Sequence, residues 1–181
     1  MVKRYRGAKP LELIEKLFKK HKNANLLAKP GPLDLIIVLD HLKSDFNIGK
    51  IFRSAQAFGC REIHLIGIEV FDPTPAKGSI KHVPAKFFKT TKESLQSLQE
   101  QGYTLFAFDP KATEKLNTTQ FPQKSAFIFG HEEKGLSITS EQYPDLRFVQ
   151  IEQVGSMQSL NVSIAASIAL YRYSTTIQKN D

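Results

Sequence analysis

Between residues 35 and 177 the chain alternates short apolar runs with segments of helical spacing, and this alternation restricts the fold more than any other feature. The runs at 35–39, 63–67, 103–108, 125–129 and 147–151 read as strands. The first of them, Leu35-Ile36-Ile37-Val38-Leu39, has no polar member. A strand covered on both faces reads that way. Between the runs, Ile48, Ile51, Phe52, Ala55 and Phe58 recur at helical intervals over 47–58, with Gly59 just past the end. Segments 91–101 and 159–177 read as two further helices. Strands alternating with helices predict an α/β sandwich built on a mostly parallel sheet. Such sheets take their ligands at the carboxyl ends of the strands, so the loops after the strands are where chemistry is sought.

The 181 residues amount to one domain, large enough to bury a core without staples. Pro30-Gly31-Pro32 divides the chain into a 1–30 segment and a 31–181 domain. All of the net charge of +7 falls in the first part: residues 1–30 hold nine Lys/Arg against two Glu, and the rest is balanced. Lys3, Arg4, Arg6 and Lys9 open this arm, and an amphipathic stretch follows over 11–22. A one-sided cationic patch attracts a polyanion. The alternative is a solvated tail that only aids solubility. Leu11, Leu13, Ile14, Leu17 and Phe18 make a modest apolar face, so membrane binding ranks low. No apolar run spans a bilayer and the start lacks the apolar core of a secretory leader, so a cytoplasmic protein is expected. Cys60 is the only cysteine. Disulfides, cysteine-rich zinc sites and paired-cysteine redox chemistry are therefore excluded within one chain. The five histidines are scattered without ligand spacing, so no metal is expected.

Three loops carry unusual residues. The first runs from Asp40 into the helix at 47, where Asn47 is placed to cap the first turn, Gly49 permits close approach, and Arg53 follows six residues on. As a purely structural residue, Arg53 would reach from the helix edge to water. The second is Gly130-His131-Glu132-Glu133-Lys134-Gly135-Leu136-Ser137, two glycines framing carboxylates directly after an apolar run. A strand-to-helix turn with solvated charges would look similar. There is no Walker A loop and no GxGxxG, which leaves a nucleotide-dependent dehydrogenase unsupported. The third is Gly155-Ser156-Met157-Gln158-Ser159-Leu160-Asn161-Val162-Ser163, where Ser159 is placed to open the last helix. Asn161, a poor helix former ahead of an apolar helix, needs polar partners.

Taken together, these loops resemble the three motifs of the SpoU (TrmH) family of SPOUT RNA methyltransferases. Asn47, Gly49 and Arg53 match the first. Gly130, Glu132, Gly135, Leu136 and Ser137 match the second, and Ser159 to Ser163 the third. The resemblance covers about residues 35 to 175, and the stretch 74–84 is similar to the family's loop after the second strand. Two departures stand beside the expected cofactor pocket: Glu133, where the family often has Gly, and Glu152-Gln153.

The resemblance implies a homodimeric, S-adenosylmethionine-dependent 2′-O-ribose methyltransferase acting on tRNA or, next, rRNA. It also implies a C-terminal trefoil knot, which chain topology alone would disfavour. A non-catalytic RNA-binding protein on the same fold is the alternative. The site residues follow from the same resemblance. Arg53 would act with Asn47, Glu132, Ser159 and Asn161, with Glu132 fixing the turn and orienting Arg53. Phe108, Gly130, Ile151, Ser159 and Leu160 would hold the cofactor. Lys3, Arg4, Arg6, Lys9 and Arg53 would meet RNA.

Overall fold

The computed structural model describes residues 10–43 and 46–177. Helix α1 (Leu11–Asn25) leads into strand β1 (Leu33–Asp40), helix α2 (Phe46–Ala57) and strand β2 (Cys60–Ile66). Two single 3-10 turns, Thr74–Ala76 and Ser79–Lys81, precede β3 (Ala85–Phe88) and α3 (Thr91–Glu100). The chain continues through β4 (Thr104–Phe108), β5 (Glu114–Lys115), β6 (Ser125–Gly130) and β7 (Arg147–Gln150) to α4 (Val162–Ile177). The seven strands form one sheet in the order β3-β2-β1-β6-β4-β7-β5, and every paired strand runs parallel to its neighbour.

Strand β1 is buried on both faces, and its side chains alternate between two cores. Leu35, Ile37 and Leu39 face a layer formed by α1, α2 and α4, which contributes Phe18, Phe52, Leu170 and Tyr173. Ile36 and Val38 face the layer of α3, packing with Leu95 and Leu98. This is a three-layer α/β/α sandwich, as the alternating pattern requires. Phe106, Phe121, Phe127 and Tyr173 meet in edge-to-face and tilted contacts under α4. Cys60 lies wholly inside, its S–H donating to the Leu35 carbonyl at 3.0 Å. Burial pushes the thiol up to about 12, so at neutral pH it is an inert core residue.

Two helix starts differ from the sequence reading. α2 begins at Phe46, so Asn47 lies inside its first turn and spends its side chain on a distant loop instead of capping. α4 begins at Val162, not at Ser159. Asn161 caps it: its Oδ1 accepts the Ser163 N–H at 3.0 Å and the Ser163 hydroxyl at 2.6 Å. An Asn at this position satisfies a free amide of the first turn, which a serine two positions earlier is too far away to do.

Helix α1 is tied to the domain body by Phe18, which meets Phe71 edge-on at 5.0 Å, and by buried Asn25. The Asn25 amide donates to the carbonyls of Ile80 and Val83 and accepts the Ala85 N–H.

Candidate functional site

The sheet order places β1, β6 and β4 side by side at its centre. β1 is followed outward by β2 and β3, while β6 and β4 lie on its other side. This is the reversal at which parallel sheets open a crevice. The loops leaving β1, β6, β4 and β7 meet above it.

The loop after β6 is folded by its glycines. His131 and Gly135 exchange backbone hydrogen bonds at 2.9 and 2.8 Å, which closes a tight turn. A Cβ at Gly130 would lie 2.4 Å from both the Gly135 carbonyl carbon and the Leu136 nitrogen, so only glycine fits beneath the turn. Gly135 itself has a φ of 72°, the left-handed conformation that glycine adopts freely. The turn lifts Glu132 toward the loop after β1. There Oε2 accepts the Lys43 N–H at 3.0 Å and Oε1 accepts the Asn47 amide at 2.9 Å. Asn47 Oδ1 in turn accepts the Asn161 amide at 3.1 Å. One continuous chain, Glu132–Asn47–Asn161, therefore joins the three sequence motifs across 85 and 114 residues. Glu133 also has a partner: it pairs with the Lys43 ammonium, which holds its carboxyl below the usual range. The two successive glutamates clamp one lysine, by its backbone and by its tip.

A cavity of about 440 Å³ opens beside this chain. Phe108, Gly130, Ile151, Ser159 and Leu160 all line it, together with Glu132, Asn161 and Asp109. Phe108 stacks on Phe129 at 4.7 Å, giving the cavity a flat aromatic wall. Its charged lining is acidic, with Asp109 and Glu132 present and no Lys or Arg among the described residues. Glu152, between the lining residues Ile151 and Gln153, has a buried oxygen without a hydrogen-bond partner among the described residues. Asp109 and Glu132 suit a ligand that carries positive charge.

Arg53 does not join this group. The expectation that Glu132 orients it is corrected by the structure, in which Glu132 is committed to Lys43 and Asn47. Six positions along an α-helix rotate a side chain by about 240°, which carries Arg53 around α2 from Asn47. It is exposed and lines a second depression on the other side of the first turn of α4. Lys3, Arg4, Arg6 and Lys9 lie outside the described residues.

One site residue had no role in the sequence reading. Asp40, at the end of β1, is completely buried. Its Oδ1 accepts the hydroxyls of Thr91 and Ser137, each at 2.8 Å, and faces His41 Nδ1 at 2.8 Å. Its Oδ2 accepts the Ser137 N–H at 2.6 Å. Asp40 thus pins the far end of the glycine turn to the start of α3. The available signal was a carboxylate directly after the apolar run at 35–39.

No helix among the described residues is long and apolar enough to cross a membrane, and no cluster of metal-ligating side chains forms among them.

Comparison with known proteins gives a consistent result. The SpoU rRNA methylase family matches over residues 34–171. The 23S rRNA (guanosine-2′-O-)-methyltransferase RlmB of Xylella fastidiosa is 26% identical over 173 residues, covering 93% of this chain and 69% of that one. The tRNA (guanosine(18)-2′-O)-methyltransferase of Thermus thermophilus is 29% identical over 143 residues, covering 76% of this chain and 73% of that one. Among solved structures, the SpoU methyltransferase AviRb of Streptomyces viridochromogenes in complex with AdoMet superposes with a TM-score of 0.72 at 22% identity. That match covers 86% of this chain and 64% of the other. Several curated relatives are longer: the chain spans 53% to 57% of four of them and 37% of another.

Proposed function

The chain belongs to the SpoU rRNA methylase family, and on that footing we propose that it transfers a methyl group from S-adenosylmethionine to a ribose 2′-oxygen of a structured RNA. tRNA is the first candidate and rRNA the second. The observation that carries this reading is the Glu132–Asn47–Asn161 chain, which brings all three motifs to the rim of one acidic cavity at the carboxyl end of the sheet.

The cofactor fits what the cavity offers. Its volume falls within the range of small-molecule sites, and its walls combine apolar side chains with polar ones. Phe108, Gly130, Ile151 and Leu160 would enclose the adenosine, and Ser159 would hold the neighbouring backbone. When bound, S-adenosylmethionine supplies an electrophilic methyl group on a positively charged sulfur. Asp109 and Glu132 supply the matching negative field, since charges in a cleft act through a low effective dielectric.

The chain's own residues have to align the hydroxyl, and alignment alone is worth roughly 7–11 kcal/mol. Asn47 and Asn161 hold the loop edges against each other. A guanidinium offers hydrogen-bond donors and no acceptor, so Arg53 serves as a phosphate grip and as a stabiliser of developing negative charge on oxygen, not as a base.

The remaining architecture belongs to the same reading. The C-terminal segment would thread a trefoil knot, two copies would form a homodimer, and the 31–181 domain would work in the cytoplasm with residues 1–30 as its RNA-facing arm. Likeness to the family supports each of these.

The test is single-turnover transfer of radiolabelled methyl groups to transcribed tRNA, with nuclease digestion to identify the methylated nucleoside. A 2′-O-methylated ribose is expected. Arg53→Ala should lower the rate by about 10²–10³, as loss of a single charge-stabilising donor does, while calorimetric affinity for S-adenosylmethionine stays as in the wild type. A methylated base in place of ribose, or no cofactor binding by the wild type, overturns the proposal.

A further inference from the structure

The second depression, about 790 Å³, lies between α2, the start of α4 and the 74–79 segment. Its charge is opposite to that of the first cavity. Lys50, Arg53 and Lys77 line it, and no Asp or Glu among the described residues does. Lys50 and Arg53 are three residues apart on α2 and so share one face of the helix. Lys77 comes from a separate segment, the turn that follows the 3-10 helix Thr74–Ala76.

That turn is held rigidly in place. A Cβ at Gly49 would lie 2.8 Å from the Ala76 nitrogen and 3.1 Å from Pro75 Cβ, so the turn rests directly on the first turn of α2. Ala76 is fully buried beneath it. Lys77 itself has a φ of 51°, a left-handed backbone that a lysine adopts only when its surroundings enforce it. The fold thus accepts strain at a lysine and fixes its position relative to two other cations. The hydroxyls of Ser79 and Ser163 on the same wall are committed to Ala76 and Asn161, so they stiffen the rim, and the three cations are its charged groups.

The two cavities flank the first turn of α4. Asn161, Val162 and Ala165 face the acidic one, and Ser163, Ile164 and Ser167 face the cationic one. Asn161 stands between them, bonded to Asn47 on one side and Ser163 on the other.

We infer that Lys50 and Lys77, together with Arg53, form a binding site for the RNA backbone, taking a phosphodiester group adjacent to the target ribose across α4 from the cofactor cavity. This rests on the reading of the chain as an RNA methyltransferase and adds the residues that seat the strand. A polyanion is the ligand class because three cations on one depression, with no carboxylate among its described lining residues, repel one another until an anion is bound.

Two substitutions isolate the site. Lys77→Gly removes the ammonium and replaces a strained residue by one that adopts the same backbone freely. It therefore should not lower the melting temperature, and any lost binding is not unfolding. Lys50→Gln removes the other charge and keeps the length and helix propensity of the side chain. Wild type and the double variant are titrated with fluorescently labelled transcribed tRNA and rRNA at several salt concentrations, and with S-adenosylmethionine by calorimetry. The double variant should bind tRNA about tenfold more weakly at 0.1 M salt. The slope of log K against log salt should fall by about 1, and cofactor affinity should be unchanged. Equal affinity and slope in the two proteins overturns the inference and leaves the methyltransferase reading in place. A wild type that binds the cofactor but no tRNA or rRNA overturns both.

Discussion

Asp40 shows how one carboxylate organises a site that it does not line. Its two oxygens receive donors from Thr91 at the start of α3 and from Ser137 at the end of the glycine turn, and it is fully buried. Asp40→Asn replaces one acceptor oxygen by an amide, so a buried N–H or hydroxyl loses its partner. The expected cost is about 1–3 kcal/mol of stability, read in a urea titration. If Asp40 also positions the turn, affinity for S-adenosylmethionine should fall by more than that of a control variant of equal stability. Equal losses in the two proteins would make Asp40 a structural residue alone. At this scale the sequence was partly legible. Asn47, Glu132 and Asn161 stood out as polar residues at odd places, and the structure joins them directly. Their pairing was not readable, because hydrogen bonds across 85 and 114 residues leave no local pattern. Asn47 had the right residue type for a cap, but residue type does not reveal that a distant carboxylate competes for its amide.

Among the elements, the strongly apolar strands and the helices with clear spacing were legible, while β3 and β5 were not. β5 is two residues long, and β3 is four, with Lys86 and Phe87 exposed. Both lie at the sheet's edges, where one-sided burial over so few residues gives no periodicity to read. A buried polar cluster ties β2, β3 and α3 together. His64, wholly inside, meets Ser94 at 2.7 Å and Glu62 at 2.9 Å, and Glu62 accepts Lys86 at 2.8 Å. Burial pushes the Glu62 carboxyl up, but hydrogen bonds from His64 and Lys86, with their charges, outweigh it and hold it below its ordinary 4.5. The stability this provides is complete above that pH and is lost as pH falls through the lower folded value. Unfolding midpoints measured from pH 7 down to pH 3 should therefore decline more steeply for the wild type than for Glu62→Gln. Parallel curves would remove Glu62 from the acid response.

Across the whole molecule, charge is partitioned. The net +7 belongs to residues 1–30, one cavity is acidic and the other is cationic. The lysines of α1 travel with the domain because Phe18 and Asn25 anchor that helix to it. Removing residues 1–9, which carry four of the positive charges, should weaken tRNA binding and lower the salt slope by roughly 3 if each meets a phosphate. An unchanged slope would make the segment a solubility tail. The fold class was legible at this scale because alternation alone specifies a parallel α/β sheet. The strand order was not, since nothing in the alternation says that β6 enters between β1 and β4.

The Asn47–Asn161 contact has a consequence in time as well as in space. Helix α2 is synthesised early, yet its site partner comes 114 residues later. Both cavities take walls from the 159–167 segment. Closing so long a loop has an entropic cost that no local contact offsets beforehand, so this docking is a late event in folding. A growing chain can pair β1 with β2 soon after both leave the ribosome, while the ligand sites await the last helix. Until then neither cavity has all of its walls.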